Sequence, residues 1–397
     1  MTGQYDLVVI GAGIHGAGMA QAAAAAGYSV LVLEQTGIAS ATSCRSSKLI
    51  HGGLRYLESG QFNLVRESLR ERAILLRVAP HLVRLVPFHI PIYRDTHRRP
   101  WKIRAGLSLY AMLDNLHSSA WFATLPRAQW SELDGLATEN LQTVFRYQDA
   151  QTDDAALTLA VMRSAQSLGA ELIMPGEFLG AQRSAHGYAV RYRTPQGEQE
   201  CIGTTLVNAA GPWVNSVLAR VSPRRPPAEI ELVQGAHIVL EGPLHRGVYY
   251  TEAEDGRAVF VMPWRGMTLV GTTETRYNGE PAQVRTQPAE VEYLLQTFRH
   301  YFPDRDVRVR DQFAGLRVLP LAESSSFHRP RETLFPADAP QQPHLVSICG
   351  GKLTGYRATA QKALTLLAPV LPARTRRGDT RTLPLAPQPK SAPRKSQ

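Results

Sequence analysis

The spacing of apolar and polar positions changes character three times along the chain. Residues 5–10 are a short, continuous apolar run that meets glycines at once, the pattern of a strand buried on both faces. Residues 14–27 are Ala-rich and stop at Gly27, predicting a tightly packed helix. Residues 29–33 are a second buried strand closed by Glu34, which completes one βαβ unit. Residues 61–79 set Leu64, Leu69, Ile74 and Leu75 on one face with charges between them, predicting an amphipathic helix. Asp153 and Asp154 precede a capped helix over 155–168, stopped by Gly169. Strands are expected over 171–174, 190–193 and 203–207. From 235 to 274 the pattern differs: β-rich runs at 236–240, 258–264 and 267–272 are joined by short turns such as Arg265-Gly266, as in an antiparallel meander. Residues 344–348 return to a buried strand, followed by Gly350-Gly351 and a helix over 355–367.

That order predicts an α/β fold of two domains: a Rossmann-type nucleotide domain interrupted by a substrate domain with a mostly antiparallel sheet. The expected division gives the nucleotide domain 1–80, 147–220 and 341–370, and the substrate domain 81–146 and 221–340. The remainder, 371–397, is expected to be a basic disordered tail.

A length of 397 residues suits this division, because one core seldom fills so long a chain. No apolar run is long enough to span a bilayer. The first residues lack the basic start of a signal peptide, so a cytoplasmic protein is expected. Cys44, Cys201 and Cys349 lack metal-ligand spacing, and their odd number argues against a disulfide framework, so no metal is expected. The net charge is +10, and from Leu371 onward seven Lys or Arg face one Asp. Such a tail, rich in Pro and Ser, suits an anionic membrane surface. No zinc-finger, RRM or KH signature is present, and no nucleic-acid partner is expected. Residues 94–104 hold Arg94, Arg98, Arg99, Lys102 and Arg104, with Trp101, Ile103, Leu107, Leu109, Tyr110 and Met112 interleaved or following. Two readings stay open: a basic amphipathic helix at a membrane interface, or a helix packing into the substrate domain.

The chemistry starts at Gly11-Ala12-Gly13-Ile14-His15-Gly16, a G-x-G-x-x-G between a predicted strand and helix, with Glu34 ending the next strand. Gly11 permits the tight turn, Gly13 lets backbone approach a pyrophosphate, and Gly16 and Gly18 let helix and strand pack closely. The helix N-terminus offers N–H groups to phosphates. Glu34, with Gln35 beside it, accepts from a ribose and would repel a 2′-phosphate. This motif alone does not choose between FAD and NAD.

The choice rests on residues 40–56, Ser-Ala-Thr-Ser-Cys-Arg-Ser-Ser-Lys-Leu-Ile-His-Gly-Gly-Leu-Arg-Tyr, dense in hydroxyls, glycines and cations. This stretch strongly resembles the FAD-dependent, aerobic, quinone-linked glycerol-3-phosphate dehydrogenases, within the D-amino-acid-oxidase-like flavoproteins. The resemblance continues through Asn208-Ala209-Ala210-Gly211-Pro212-Trp213, Gly235-Ala236-His237, Gly271-Thr272-Thr273-Glu274, Gly315-Leu316-Arg317 and Gly350-Gly351-Lys352-Leu353-Thr354-Gly355-Tyr356-Arg357. It covers residues 4 to about 368.

The resemblance implies oxidation of sn-glycerol 3-phosphate to dihydroxyacetone phosphate, with hydride to flavin N5 and electrons to a quinone. It implies FAD contacts from residues 11–16, Glu34, Gln35, Thr42, Ser43, Ser47, Lys48, Leu49, His51, Gly53, Ala210, Gly211, Gly351, Lys352, Leu353 and Thr354. It assigns the substrate phosphate to Arg55, Tyr56, Arg317, Lys352 and Arg331 (or Arg329), and catalysis to His237, Arg317 and Lys352, with His51 as a second candidate base. Peripheral association with the cytoplasmic face of a membrane follows from a quinone acceptor, and a homodimer is a further expectation. Two departures stand out. Cys44-Arg45 replaces smaller residues often found there, and the additional C-terminal helical domain of bacterial members is not expected here. The alternatives are an amine or amino-acid oxidase of the same superfamily and a non-catalytic FAD-binding sensor at a membrane.

Overall fold

A computed structural model of the chain describes residues 3–116, 121–321 and 333–386. Two sheets carry the architecture of the described residues. The first has eight strands, and Gly3–Ile10 runs parallel between Val30–Leu33 and Gly197–Asn208. Gly197–Asn208 is long enough to serve two purposes. Its first half forms a hairpin with Gly187–Thr194, and its last three residues pair parallel with Leu345–Ser347. Helices α1 (Ile14–Ala25), α4 (Asp154–Ser167) and α7 (Tyr356–Leu367) share a core with this sheet. The small side chains of α1 let α4 and α7 approach it on both sides, so nearly all of its residues are buried. The Asp153 carboxylate caps α4 by accepting from the Ala156 N–H at 3.0 Å.

The second sheet has ten strands, nearly all antiparallel. Ile230–Leu240 lies at its centre, between Val309–Pro320 on one side and Met267–Gly271 and Thr275–Tyr277 on the other. Val83–Tyr93 and Leu141–Thr152 form an antiparallel ladder as long as that of Ile230–Leu240 with Val309–Pro320. Helices α2 (Phe62–Val78) and α3 (Pro100–Leu113) pack beside it. The short α5 (Val214–Leu218) closes the first sheet, and α6 (Pro288–Tyr301) covers the second. A buried network ties α2 and α3 to the sheet. Arg72 meets Asp149 at 2.7 Å and Asp114 at 2.8 Å, and Tyr110 donates to Asp149 at 2.6 Å.

Two expected boundaries are corrected. The division at 146/147 falls inside the strand Leu141–Thr152, and Leu49–Ile50 also pairs there, so the second sheet reaches into segments assigned to the first. Residues 371–386 are not disordered. Arg374 forms an ion pair with Asp6 at 2.8 Å, the Arg377 and Gly378 N–H groups donate to the Ala25 carbonyl, and Leu385 is buried. Composition missed this because the ordering contacts are distant in sequence. Residues 387–397 lie outside the described residues.

Candidate active site

One cavity of about 670 Å³ runs from the C-terminal end of Gly3–Ile10 to the face of the second sheet. Its first half is backbone-rich. Gly11 (φ +98°) turns the chain from strand into α1. A Cβ on Gly16 would lie 1.9 Å from the Gly11 carbonyl oxygen, so a side chain cannot enter without moving the turn. Gly11, Gly13, Ile14 and His15 line the cavity, whereas Ala12 and Gly16 lie behind it. Glu34 is buried at the strand end. Its Oε2 accepts from Ala12 N–H and its Oε1 from Thr36 N–H, both at 2.8 Å. These bonds fix a carboxylate on the cavity wall beside Gln35. Ser43 Oγ accepts from Ile14 N–H at 2.9 Å, and Thr42 donates to the Leu316 carbonyl at 2.8 Å. The wall is completed by Ala210 and Gly211 and by Phe178, Trp213 and Arg220. Trp213 ends the Asn208–Trp213 motif, whereas Phe178 and Arg220 were missed in the sequence because no local motif marks them.

The second half is rich in charged and titratable side chains. Ser47, Leu49, His51, Gly53, Arg55, Tyr56, His237, Arg317, Gly351, Lys352, Leu353 and Thr354 all line it, brought together from distant segments. The Gly52 N–H donates to Tyr110 at 2.8 Å, which anchors the 51–56 loop to the Asp149 network. Thr354 accepts from His51 N–H at 3.2 Å. Lys352 Nζ lies 3.8 Å from the Tyr56 ring centroid and 3.2 Å from Ser68 Oγ of α2. Arg317 passes close to Gly235, where a Cβ would meet its Nη2 at 2.6 Å. Its Nη1 meets Glu274 Oε1 at 3.0 Å and its Nη2 donates to Thr272 Oγ1 at 2.8 Å. Arg55 Nη1 lies 3.8 Å from the same carboxylate oxygen.

His237 is 2% exposed. Its Nε2 is 3.0 Å from Ser47 Oγ, and its ring stacks on Phe313 at 4.9 Å. Burial, then the Arg317 and Lys48 charges, hold its pKa well below the usual histidine range, so it is neutral at neutral pH. His15 is likewise pushed down to about 4 by burial.

One expected site residue, Lys48, takes another position. Lys48 does not line the cavity. Its ammonium is buried against Asp154 at 2.8 Å and the Cys44 carbonyl at 2.6 Å, so it fixes the 44–48 loop. Arg357, which ends the Gly350–Arg357 motif, is a buried tie from α7 to Glu71 of α2, at 2.6 and 2.8 Å. Arg331 and Arg329 lie outside the described residues.

The first half of the cavity fits a dinucleotide: a helix N-terminus with exposed-edge N–H groups, glycines where a Cβ would intrude, and a carboxylate at the ribose position. Fold and site together define a flavoprotein oxidoreductase. The FAD dependent oxidoreductase family model matches residues 6–360, and the chain belongs to that family. Its curated relatives include several named glycerol-3-phosphate dehydrogenase and one named D-erythritol 1-phosphate dehydrogenase, from Brucella abortus, 33% identical over 92% of this chain and 74% of its own length. The protein of that name from Pseudomonas aeruginosa is 39% identical over 92% of this chain and 72% of its own length. The aerobic glycerol-3-phosphate dehydrogenase of Escherichia coli is 37% identical over 92% of this chain and 73% of its own. The FAD complex of the Bacillus halodurans glycerol-3-phosphate dehydrogenase superposes with a TM-score of 0.72 at 28% identity, over 92% of this chain and 64% of that one.

Proposed function

We propose that this chain oxidises the C2 hydroxyl of sn-glycerol 3-phosphate to the ketone of dihydroxyacetone phosphate. The observation that carries this reading is the convergence of Arg55, Arg317 and Lys352 on one cavity with a neutral, buried His237. FAD, when bound in the first half of the cavity, would supply the hydride acceptor at flavin N5, with a quinone as the final acceptor of the electrons. The α1 N-terminus and Ser43 hold its pyrophosphate, and Glu34 its ribose. Arg55, Arg317 and Lys352 hold the substrate phosphate, the two guanidinium groups matching its oxygens as forks and Lys352 as a point charge. Tyr56 keeps Lys352 in place from below. His237 takes the hydroxyl proton at Nε2, the atom that now shares a hydrogen bond with Ser47. Being neutral, it is ready to accept that proton without prior deprotonation.

A quinone acceptor places the protein at a membrane. Among the described residues no helix is long and apolar enough to cross one, so contact would be peripheral. Helix α3 supports this. It buries Ile103, Leu107 and Tyr110 in the core yet leaves Trp101 and Met112 largely exposed, with Arg99, Lys102 and Arg104 alongside. Arg98 is not part of that face, because it is held by Glu58 and Glu252 at 2.7 Å each.

Anaerobic addition of sn-glycerol 3-phosphate to the FAD-loaded protein should bleach the flavin. Bleaching by amines or amino acids alone would move the chain to the oxidase reading. No bleaching by any of them would leave a flavin-binding protein without this activity.

A further inference from the structure

Glu274 is nearly buried, its side chain 5% exposed, and it sits between two of the cations that line the cavity. One oxygen, Oε1, is 3.0 Å from Arg317 Nη1 and 3.8 Å from Arg55 Nη1. The main chain of the same residue is held as well, its carbonyl accepting from Arg257 at 3.1 Å. The loop before it is braced from behind. Thr273 and Thr275 both donate to Glu290 of α6, at 2.7 and 2.9 Å, and Ala236 N–H donates to Thr273 Oγ1 at 2.8 Å. The backbone that carries the carboxylate is therefore held by a braced frame, and Arg317 holds the carboxylate itself.

A carboxylate in this position has two effects of opposite sign on an incoming phosphate. It fixes the Arg317 fork, together with Thr272 on the other nitrogen, so the fork's orientation is set before the ligand arrives. It also offsets one positive charge of the cluster and repels a second anion. Near a phosphate dianion in a partly dry site the charge effect is the larger, because Thr272 still anchors the guanidinium if the carboxylate is lost.

We infer that Glu274 is a specificity-determining and positioning residue, an internal anion that weakens and orients the phosphate site formed by Arg55 and Arg317. Its consequence is a site that grips the phosphate of substrate and product loosely enough for release. This rests on the phosphate reading of the cavity proposed above.

The test uses FAD-loaded protein titrated with inorganic phosphate, with the shift of the flavin absorption band as the readout. Glu274→Gln should bind phosphate about tenfold more tightly than the parent, the size expected for removing one nearby charge. KM for glycerol 3-phosphate should fall in step while kcat also falls, as product is held longer. Thr272→Val, which loosens the same guanidinium without changing charge, should weaken phosphate binding instead. If Glu274→Gln does not retain FAD, the comparison moves to a background lacking the arginine. Arg317→Gln/Glu274→Gln should then bind phosphate about tenfold better than Arg317→Gln alone. Unchanged or weaker phosphate binding on loss of Glu274 in both backgrounds overturns the inference. A parent protein that bleaches with an unphosphorylated substrate and shows no response to phosphate overturns the phosphate reading itself.

Discussion

The two halves of the cavity are built by different means. The nucleotide half is centred on three nearby stretches, residues 11–15, 34–37 and 40–43, with Phe178, Ala210, Gly211, Trp213 and Arg220 completing its wall, and it presents backbone N–H groups, glycines and one carboxylate. The far half is drawn from residues 47–56, 235–237, 272–274, 315–317 and 350–354, and it works through charged side chains. A site made of backbone fails all at once, because its geometry is the fold's geometry. A site made of side chains can lose one group and keep the rest. Variants at the first half should therefore cost cofactor and stability together, and variants at the second should cost turnover with FAD retained.

The sharpest break of that contrast is Gly16→Val. Its side chain would collide with the Gly11 carbonyl, so the purified protein should contain no flavin and should melt at a clearly lower temperature. Flavin content near the parent's would show that the turn is not rigid. His237→Asn comes next: kcat should fall by about 10²- to 10⁴-fold while the flavin spectrum stays that of bound FAD. Near-normal turnover would remove His237 from the mechanism and leave His51, which lines the same half, as the base.

Acid should act on both halves, by way of stability. His15 and His89 have folded pKa values pushed down to about 4 by burial, and His237 is lowered as well. A lowered histidine pKa means the unfolded chain binds protons first as pH falls. The stability is thus complete above the ordinary value of about 6.5 and lost as pH drops toward 4, on the order of 3 kcal/mol at most for each of the two. Denaturant midpoints measured from pH 7 to pH 4.5 should fall steadily, and kcat at saturating substrate should hold its value down through pH 6.5. An acidic limb centred near 6.5 would mean that His237 is better solvated than its packing implies. The smallest effect is expected outside the cavity. Trp101→Ser/Met112→Ser should reduce flotation with anionic liposomes at low salt by several-fold and leave flavin bleaching unchanged. Equal flotation would place any membrane contact elsewhere.

Much of the fold could be read from local pattern. The run 5–10, the Ala-rich helix and the strand before Glu34 stand where their periodicity put them, as do α2, α4 and α7. The longest strands could not be read this way. Val83–Tyr93 contains Pro87, Pro91 and His89, residues that argue against a central strand, yet the ladder with Leu141–Thr152 accommodates them. Val309–Pro320 opens with charged and polar residues at its exposed end, so its pattern is weak until it pairs with Ile230–Leu240. Helix α3 buries one face in the core, as its packing reading expected, and leaves Trp101 and Met112 exposed on another.

The same divide runs through the site. The sequence by itself determined the βαβ turn, the acidic residue closing it and the family to which the motifs belong, because each depends on residues a few positions apart with steric or backbone requirements that only certain side chains meet. Only the tertiary structure decided which cations reach the cavity. Lys48 and Arg357 stand in motifs as telling as those of Arg55 and Lys352, yet both are buried in ion pairs that brace loops and helices. Glu274, by contrast, faces the cavity's arginines directly. A charged side chain goes to whichever partner the packed chain brings within a few ångströms, and a buried charge cannot be left without one. That choice depends on distances across the fold, which no local pattern encodes.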